Sequence, residues 1–184
     1  KYDLKTYINY LSEHPIKAEI TSRDITQLSS IDDCTINVCI IMIQCGNKEL
    51  TLIEIASKLY GKDSYKNTIV ALTKYGKNQV KTACQMRLTI LKNDLWFLSG
   101  IGYVFGTLTG KTQNKYLSIN LLRDSFYSRV ILSLCKSDTN LRDFMSFLSE
   151  STQKRRASSC MRVITFFLNQ CNLEGIQIYN LTSI

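Results

Sequence analysis

Apolar residues recur at helical spacing along most of this chain. In LKTYINYLSEH, Leu4, Tyr7, Ile8 and Leu11 fall on one face of a helix. TSRDITQLSS predicts a second short, capped helix. CTINVCIIMIQCG is almost continuously apolar; its length favours a helix, while its β-branched content leaves a strand open. ELTLIEIASKLYG sets Leu52, Ile55, Ala56 and Leu59 on one face and supplies Gly61 as a stop. KNQVKTACQMRLTIL predicts a basic helix from near Lys77, and the stretch from Asp94 to Asn120 predicts extended pieces around a polar loop at 109–114.

The second half repeats this plan. DSFYSRVILSLCKSD predicts an apolar helix and TNLRDFMSFLSES a short one with Leu141, Phe144, Met145 and Leu148 on a face. STQKRRASSCMRVITFFLNQ predicts a second basic helix, and LEGIQIYNLTSI is a hairpin candidate with Gly175 near its turn. Helix, short helix, basic helix and hairpin is the order of a winged helix. The expected fold class is mainly α with small β-hairpins (α+β): two winged-helix-like units in tandem after an N-terminal helical segment. The expected bounds are 1–30 for a helical adaptor, 31–121 for the first unit and 122–184 for the second. Leu52, Ile55, Ala56 and Leu59 fall on Leu141, Phe144, Met145 and Leu148 without gaps, whereas QMR at 85–87 meets CMR at 160–162 only under another shift. The repeat is therefore one of pattern.

Three cations in a row, Lys154, Arg155 and Arg156, open the second basic helix, where the macrodipole favours anions. A helical wheel puts Ala157, Cys160, Met161, Ile164 and Leu168 on one stripe, with Arg155, Ser158, Ser159 and Arg162 opposite and Lys154 at the flank. Phe166 also falls on the polar side, which this phase does not explain. Arginine can pair with guanine O6 and N7, and serine with a phosphate or a base edge. The expected contacts with double-stranded DNA are accordingly Gln153, Lys154, Arg155, Arg156, Ser158, Ser159 and Arg162. In the first half they are Lys77, Lys81, Thr82, Gln85 and Arg87, although Arg87 intrudes on the apolar stripe of Val80, Ala83, Cys84 and Leu91. Lys111, Gln113, Asn114 and Lys115, in the polar loop, are expected at a wing tip, where they can touch phosphates or a minor groove. Solvated basic faces and an exposed polar hairpin end are the bland alternatives to these assignments.

Charge and chemistry narrow the picture further. The 184 residues carry a formal charge of +8, which favours an anionic partner. Seven cysteines without a CxxC pair, and His14 as the sole histidine, leave no zinc-ligand spacing. No metal or cofactor is expected. The cysteines read as buried residues of a reducing compartment, cytoplasmic or nuclear, and no membrane partner is expected. GTLTGKT has one residue too few between Gly106 and Gly110 for a phosphate-binding loop. No Glu-x-Lys occurs, so the carboxylate-lysine pattern of metal-dependent nucleases is missing. Cys160, beside Arg162 near a helix start, invites a reactive thiol, but its place on the apolar stripe favours a core residue. RRAS at 155–158 resembles a basic-directed kinase site that a folded helix would shield. No catalytic constellation emerges, and an enzyme is not expected in this segment; a start at Lys1 instead of Met fits a piece of a longer protein.

The array from 151 to 184, STQKRRASSCMRVITFFLNQCNLEGIQIYNLTSI, resembles the closing winged helix of tandem modules found in the specificity regions of Type IIS-like restriction enzymes. The resemblance implies a helix-turn-helix in which the basic helix enters the major groove and the wing meets the backbone. It implies a sequence-recognising module of a restriction-modification or other defence protein, with a nuclease domain or subunit as partner. Two other functions remain open: a stand-alone winged-helix regulator or replication initiator, expected to dimerise on a palindromic or repeated site, and a helical interaction module binding RNA or acidic protein.

Overall fold

The computed structural model describes residues 3–25, 27–28, 30–61 and 68–183. Its elements are α1 (Leu4–Glu13), α2 (Ile31–Cys34), α3 (Ile36–Gln44), α4 (Leu52–Tyr60), α5 (Ile69–Gln85), β1 (Thr89–Lys92), β2 (Leu95–Leu98), α6 (Gly100–Thr107), α7 (Gly110–Leu121), α8 (Ser125–Leu134), β3 (Thr139–Asn140), a 3-10 turn (Leu141–Met145), α9 (Glu150–Leu173) and β4 (Leu181–Thr182). The chain is mainly helical with a small two-stranded antiparallel sheet, as the α+β expectation had it. It divides into a central unit, Gln27–Thr109, and a split unit made of Lys1–Thr26 and Gly110–Ile184. The boundary thus falls before α7, where 121 was expected, and the N-terminal segment belongs with the second half.

In the central unit, α4 starts at a capping box. Thr51 Oγ1 accepts from Glu54 N at 3.4 Å, and the Glu54 carboxylate accepts from Thr51 N at 2.7 Å. Gly61 ends the helix at φ 72°, as its position in the sequence implied. Helix α5 packs closely on α4 because Gly76 has no side chain: a Cβ there would run into the Leu52 carbonyl. β1 and β2 form a tight hairpin whose two turn residues, Asn93 and Asp94, have φ 50° and 60°. Leu50 extends this sheet by exchanging two 3.0 Å hydrogen bonds with Trp96.

GIGYVFG, inside the stretch expected to be extended, is helix α6. Ser99 caps it by accepting from Gly102 N at 2.8 Å while donating to backbone oxygens of the β1 approach. A Cβ on Gly102 would strike the Leu88 carbonyl, so glycine is what lets α6 lie against that strand.

In the split unit, α1 is capped by Asp3 and buries Leu4, Ile8 and Leu11. Residues 21–25 form no helix. Instead the Asp24 carboxylate accepts from Thr21 N and Thr21 Oγ1, closing a turn; Thr26 and Ser29 of the expected helix lie outside the described residues. The expected short helix over TNLRDFMSFLSES is reduced to β3 and the 3-10 turn. The expected second hairpin is also replaced. Gly175, φ 65°, stops α9, with Ile176 N bonded back to the Cys171 carbonyl at 3.0 Å. The chain then runs on as β4, parallel to β3.

Candidate nucleic-acid interface

Helix α9 buries Gln153, Ala157, Cys160, Ile164, Phe167 and Cys171 and, one step round, Ser159, Val163 and Gln170. This stripe is rotated from the expected one: Val163 and Phe167 are inside, whereas Met161 and Leu168 are half-buried. The opposite arc exposes Lys154, Arg155, Ser158 and Arg162, as expected, and continues through Thr165 and Asn169. Between Ser151 and Leu173 the helix has no carboxylate. Its one acidic residue is Glu150 in the first turn, paired with Arg142 at 3.3 Å, a placement that suits the dipole.

Three residues expected on the DNA face of α9 are placed elsewhere. Gln153 is 5% exposed and donates through Nε2 to the Leu148 carbonyl at 2.8 Å. Ser159 is 4% exposed. Arg156 turns toward the N-terminal segment, where Nη1 donates to the carbonyls of Ser22 and Ile25. Burial lowers its pKa, and the adjacent Arg155 adds to that. At 100° per residue, Arg156 lies a full step from Arg155. That step carries it from the exposed arc to the packed side, where it holds the 21–25 turn in place of a phosphate. Arg129, on α8, donates to the Ala18 carbonyl of the same segment.

Helix α5 repeats the arrangement with different cations. It begins at Ile69, with Thr68 Oγ1 accepting from Ala71 N at 3.2 Å, and ends at Gln85. Lys74 and Lys77 are exposed and Lys81 half-exposed, all within an arc of roughly 60°, and none of its 17 residues is acidic. Thr82 is buried and donates to the Asn78 carbonyl at 2.9 Å, while Gln85 sits half-buried at the flank. Thr82 is off the lysine stripe, whereas Gln85, one turn beyond Lys81 and about 20° from Lys74, lies at its end. Arg87 lies beyond the helix at φ 61°, which is why it disturbed the expected wheel, and its exposed side chain leads into β1. Lys74 lies ahead of the start expected near Lys77, because α5 begins about two turns earlier, at Ile69.

The expected wing tip at Lys111, Gln113, Asn114 and Lys115 is a helix, α7. Lys111 and Lys115 instead line a cleft of about 810 Å³ with Tyr116, Leu173 and Glu174. Lys115 Nζ lies 3.5 Å from Glu174 Oε2. The antiparallel hairpin tip is at Lys92, Asn93 and Asp94, all exposed. An Asn-Asp pair between TILK and LWFL is the available signal.

The cysteines are free thiols. Burial pushes Cys39, Cys160 and Cys171 up to about 12, so Cys160 is a packed core thiol and not an activated one. Among the described residues no three His, Cys, Asp or Glu side chains are grouped to hold a metal ion, and no helix is long and apolar enough to cross a membrane. No family model, curated protein or solved structure matches the chain.

Proposed function

We propose that this chain is a sequence-recognising, double-stranded DNA-binding module built from a winged-helix-like central unit and a split unit in which β4 pairs with β3 in place of a hairpin wing, with α5 and α9 as the helices that meet the duplex. The observation that carries the reading is the outward face of α9. Lys154, Arg155, Ser158, Arg162, Thr165 and Asn169 are exposed together, on a helix free of carboxylates from Ser151 to Leu173 and packed along its back. Arginine forks with short hydroxyl and amide side chains supply both base-edge and phosphate partners. The central unit supports the same reading through its order of elements: α3, the Leu50 bridge, α4, α5 and the β1–β2 hairpin. A restriction or other defence protein is the setting that the resemblance of the closing segment implies, and a nuclease core in the same open reading frame would place it there.

Salt titration tests the reading directly. Binding to a random-sequence duplex should weaken with a log-log slope of roughly −0.9 for each phosphate neutralised. Affinity that stays flat from low to physiological salt, or that is matched by an acidic peptide of equal charge, would overturn it.

A further inference from the structure

We propose that Val70 is a specificity-determining residue that reads the C5 methyl group of thymine in the major groove; the inference rests on the DNA-binding reading of α5. Val70 is 79% exposed, more than any other large apolar side chain among the described residues. It sits in the first turn of α5, two residues after the Thr68 cap. A β-branched residue there gains nothing from helix propensity and leaves its methyl groups in water.

Its neighbours on the helix surface identify the occupant. Spacings of four, seven and eleven residues put Lys74, Lys77 and Lys81 on the same side as Val70. At 100° per residue, Lys77 stands roughly 20° to one side of Val70, and Lys81 and Lys74 roughly 20° and 40° to the other. No carboxylate lies on α5, so among the described residues of this helix the charged side chains on the Val70 side are all lysines. Duplex DNA offers single methyl groups between two rows of phosphates, which suits one aliphatic side chain on a stripe of lysines. The thymine methyl is the apolar feature of the major groove, and the first turn of a recognition helix is the part that reaches base edges. Ile69, 69% exposed, points about 100° away and is not on this line.

The test compares two duplexes that differ only in that methyl group. Alternating d(A-T) and alternating d(A-U) are titrated with the full chain at matched salt. Wild type is expected to bind d(A-T) about fourfold more tightly, the value of one buried methyl group. Val70→Ser, which replaces the apolar group by a hydroxyl that does not distinguish a methyl from a hydrogen and suits the first turn of a helix, is expected to bind both duplexes alike, with an unchanged salt slope. Equal wild-type affinity for the two duplexes with a steep salt slope would overturn the methyl contact and leave DNA binding standing, as would a preference that survives in Val70→Ser. If neither duplex binds, the DNA reading of α5 falls and this inference falls with it.

Discussion

Helices α5 and α9 present the same surface idea with different chemistry. The 17-residue α5 carries lysines alone, on a stripe opened by valine. The 24-residue α9 carries Lys154 followed by Arg155 and Arg162, interleaved with Ser158, Thr165 and Asn169. Lysine is a compact point charge with no fixed geometry; arginine is a planar fork that pairs with guanine or a phosphate through two bonds. On the proposed reading, α5 holds the backbone with little regard to sequence apart from a methyl group, and α9 discriminates. Their supports differ as well. Gly76 brings α5 against the α4 backbone, whereas the head of α9 is tied by Arg156 to the 21–25 turn.

The largest expected effect breaks the first support. Gly76→Val forces a branched side chain into the Leu52 carbonyl, with nothing flexible to give way. A stability loss of about 3 kcal/mol is expected in the central unit, at the upper end of overpacking costs. Hydrogen exchange should show α4 and α5 amides losing protection before those of α8 and α9. If protection falls evenly across the chain, the two units do not differ in this way.

A smaller effect sharpens the chemical contrast. Arg155→Ala or Arg162→Ala should cost about 1–3 kcal/mol on a selected target and much less on random duplex. Lys77→Ala and Lys81→Ala should weaken both to a similar extent and flatten the salt slope by about 0.9 each. Arg156→Ala should instead release the 18–25 segment to proteolysis. A selection that enriches no sequence, or one indifferent to both arginines, would leave α9 as a second general anchor.

How much of this was legible depends on how local the signal is. The faces of α1 and α4 could be read because their apolar residues and their caps, Asp3 and Thr51 with Glu54, lie within one helix. The polar run at the head of α7 looks like a loop because its first residues face solvent; only Leu117, Ser118, Asn120 and Leu121 are buried. The apolar stripe of α5 holds at Val80 and Ala83, which are buried; Arg87 and Leu91 lie beyond its end at Gln85, where a left-handed Arg87 starts the turn into β1. No local pattern shows that the chain after Gly175 will lie parallel to Thr139, about forty residues earlier in sequence. Of the candidate site, the outward arginines were readable from a wheel. The inward turn of Arg156 was not, since its partners are carbonyls of Ser22 and Ile25.

The smallest expected effect concerns helix caps, and it separates the units by the sign of their pH response. In the central unit, hydrogen bonds from the Thr51 side chain and backbone hold Glu54 below its usual range. That cap contributes stability that is complete above the unfolded value of 4.5 and is lost as pH falls through the lower folded value. In the split unit, α8 is capped by Asp124, which accepts from Phe126 N at 2.9 Å and Tyr127 N at 3.0 Å. Burial, with Asp24 adding repulsion, outweighs these bonds and raises its pKa from 3.8 to about 6. The folded state therefore binds the proton more tightly than the unfolded chain. Its contribution is complete below pH 3.8 and is lost as pH rises through about 6. Asp124→Asn keeps a capping oxygen and removes the charge, so it should stabilise α8 at pH 7 by on the order of 1 kcal/mol and change little at pH 3.5. Glu54→Gln should do the reverse, costing stability near neutral pH and little in acid. Unit-resolved hydrogen exchange at the two pH values reads both effects, and a common sign in α4 and α8 would remove this distinction between the units.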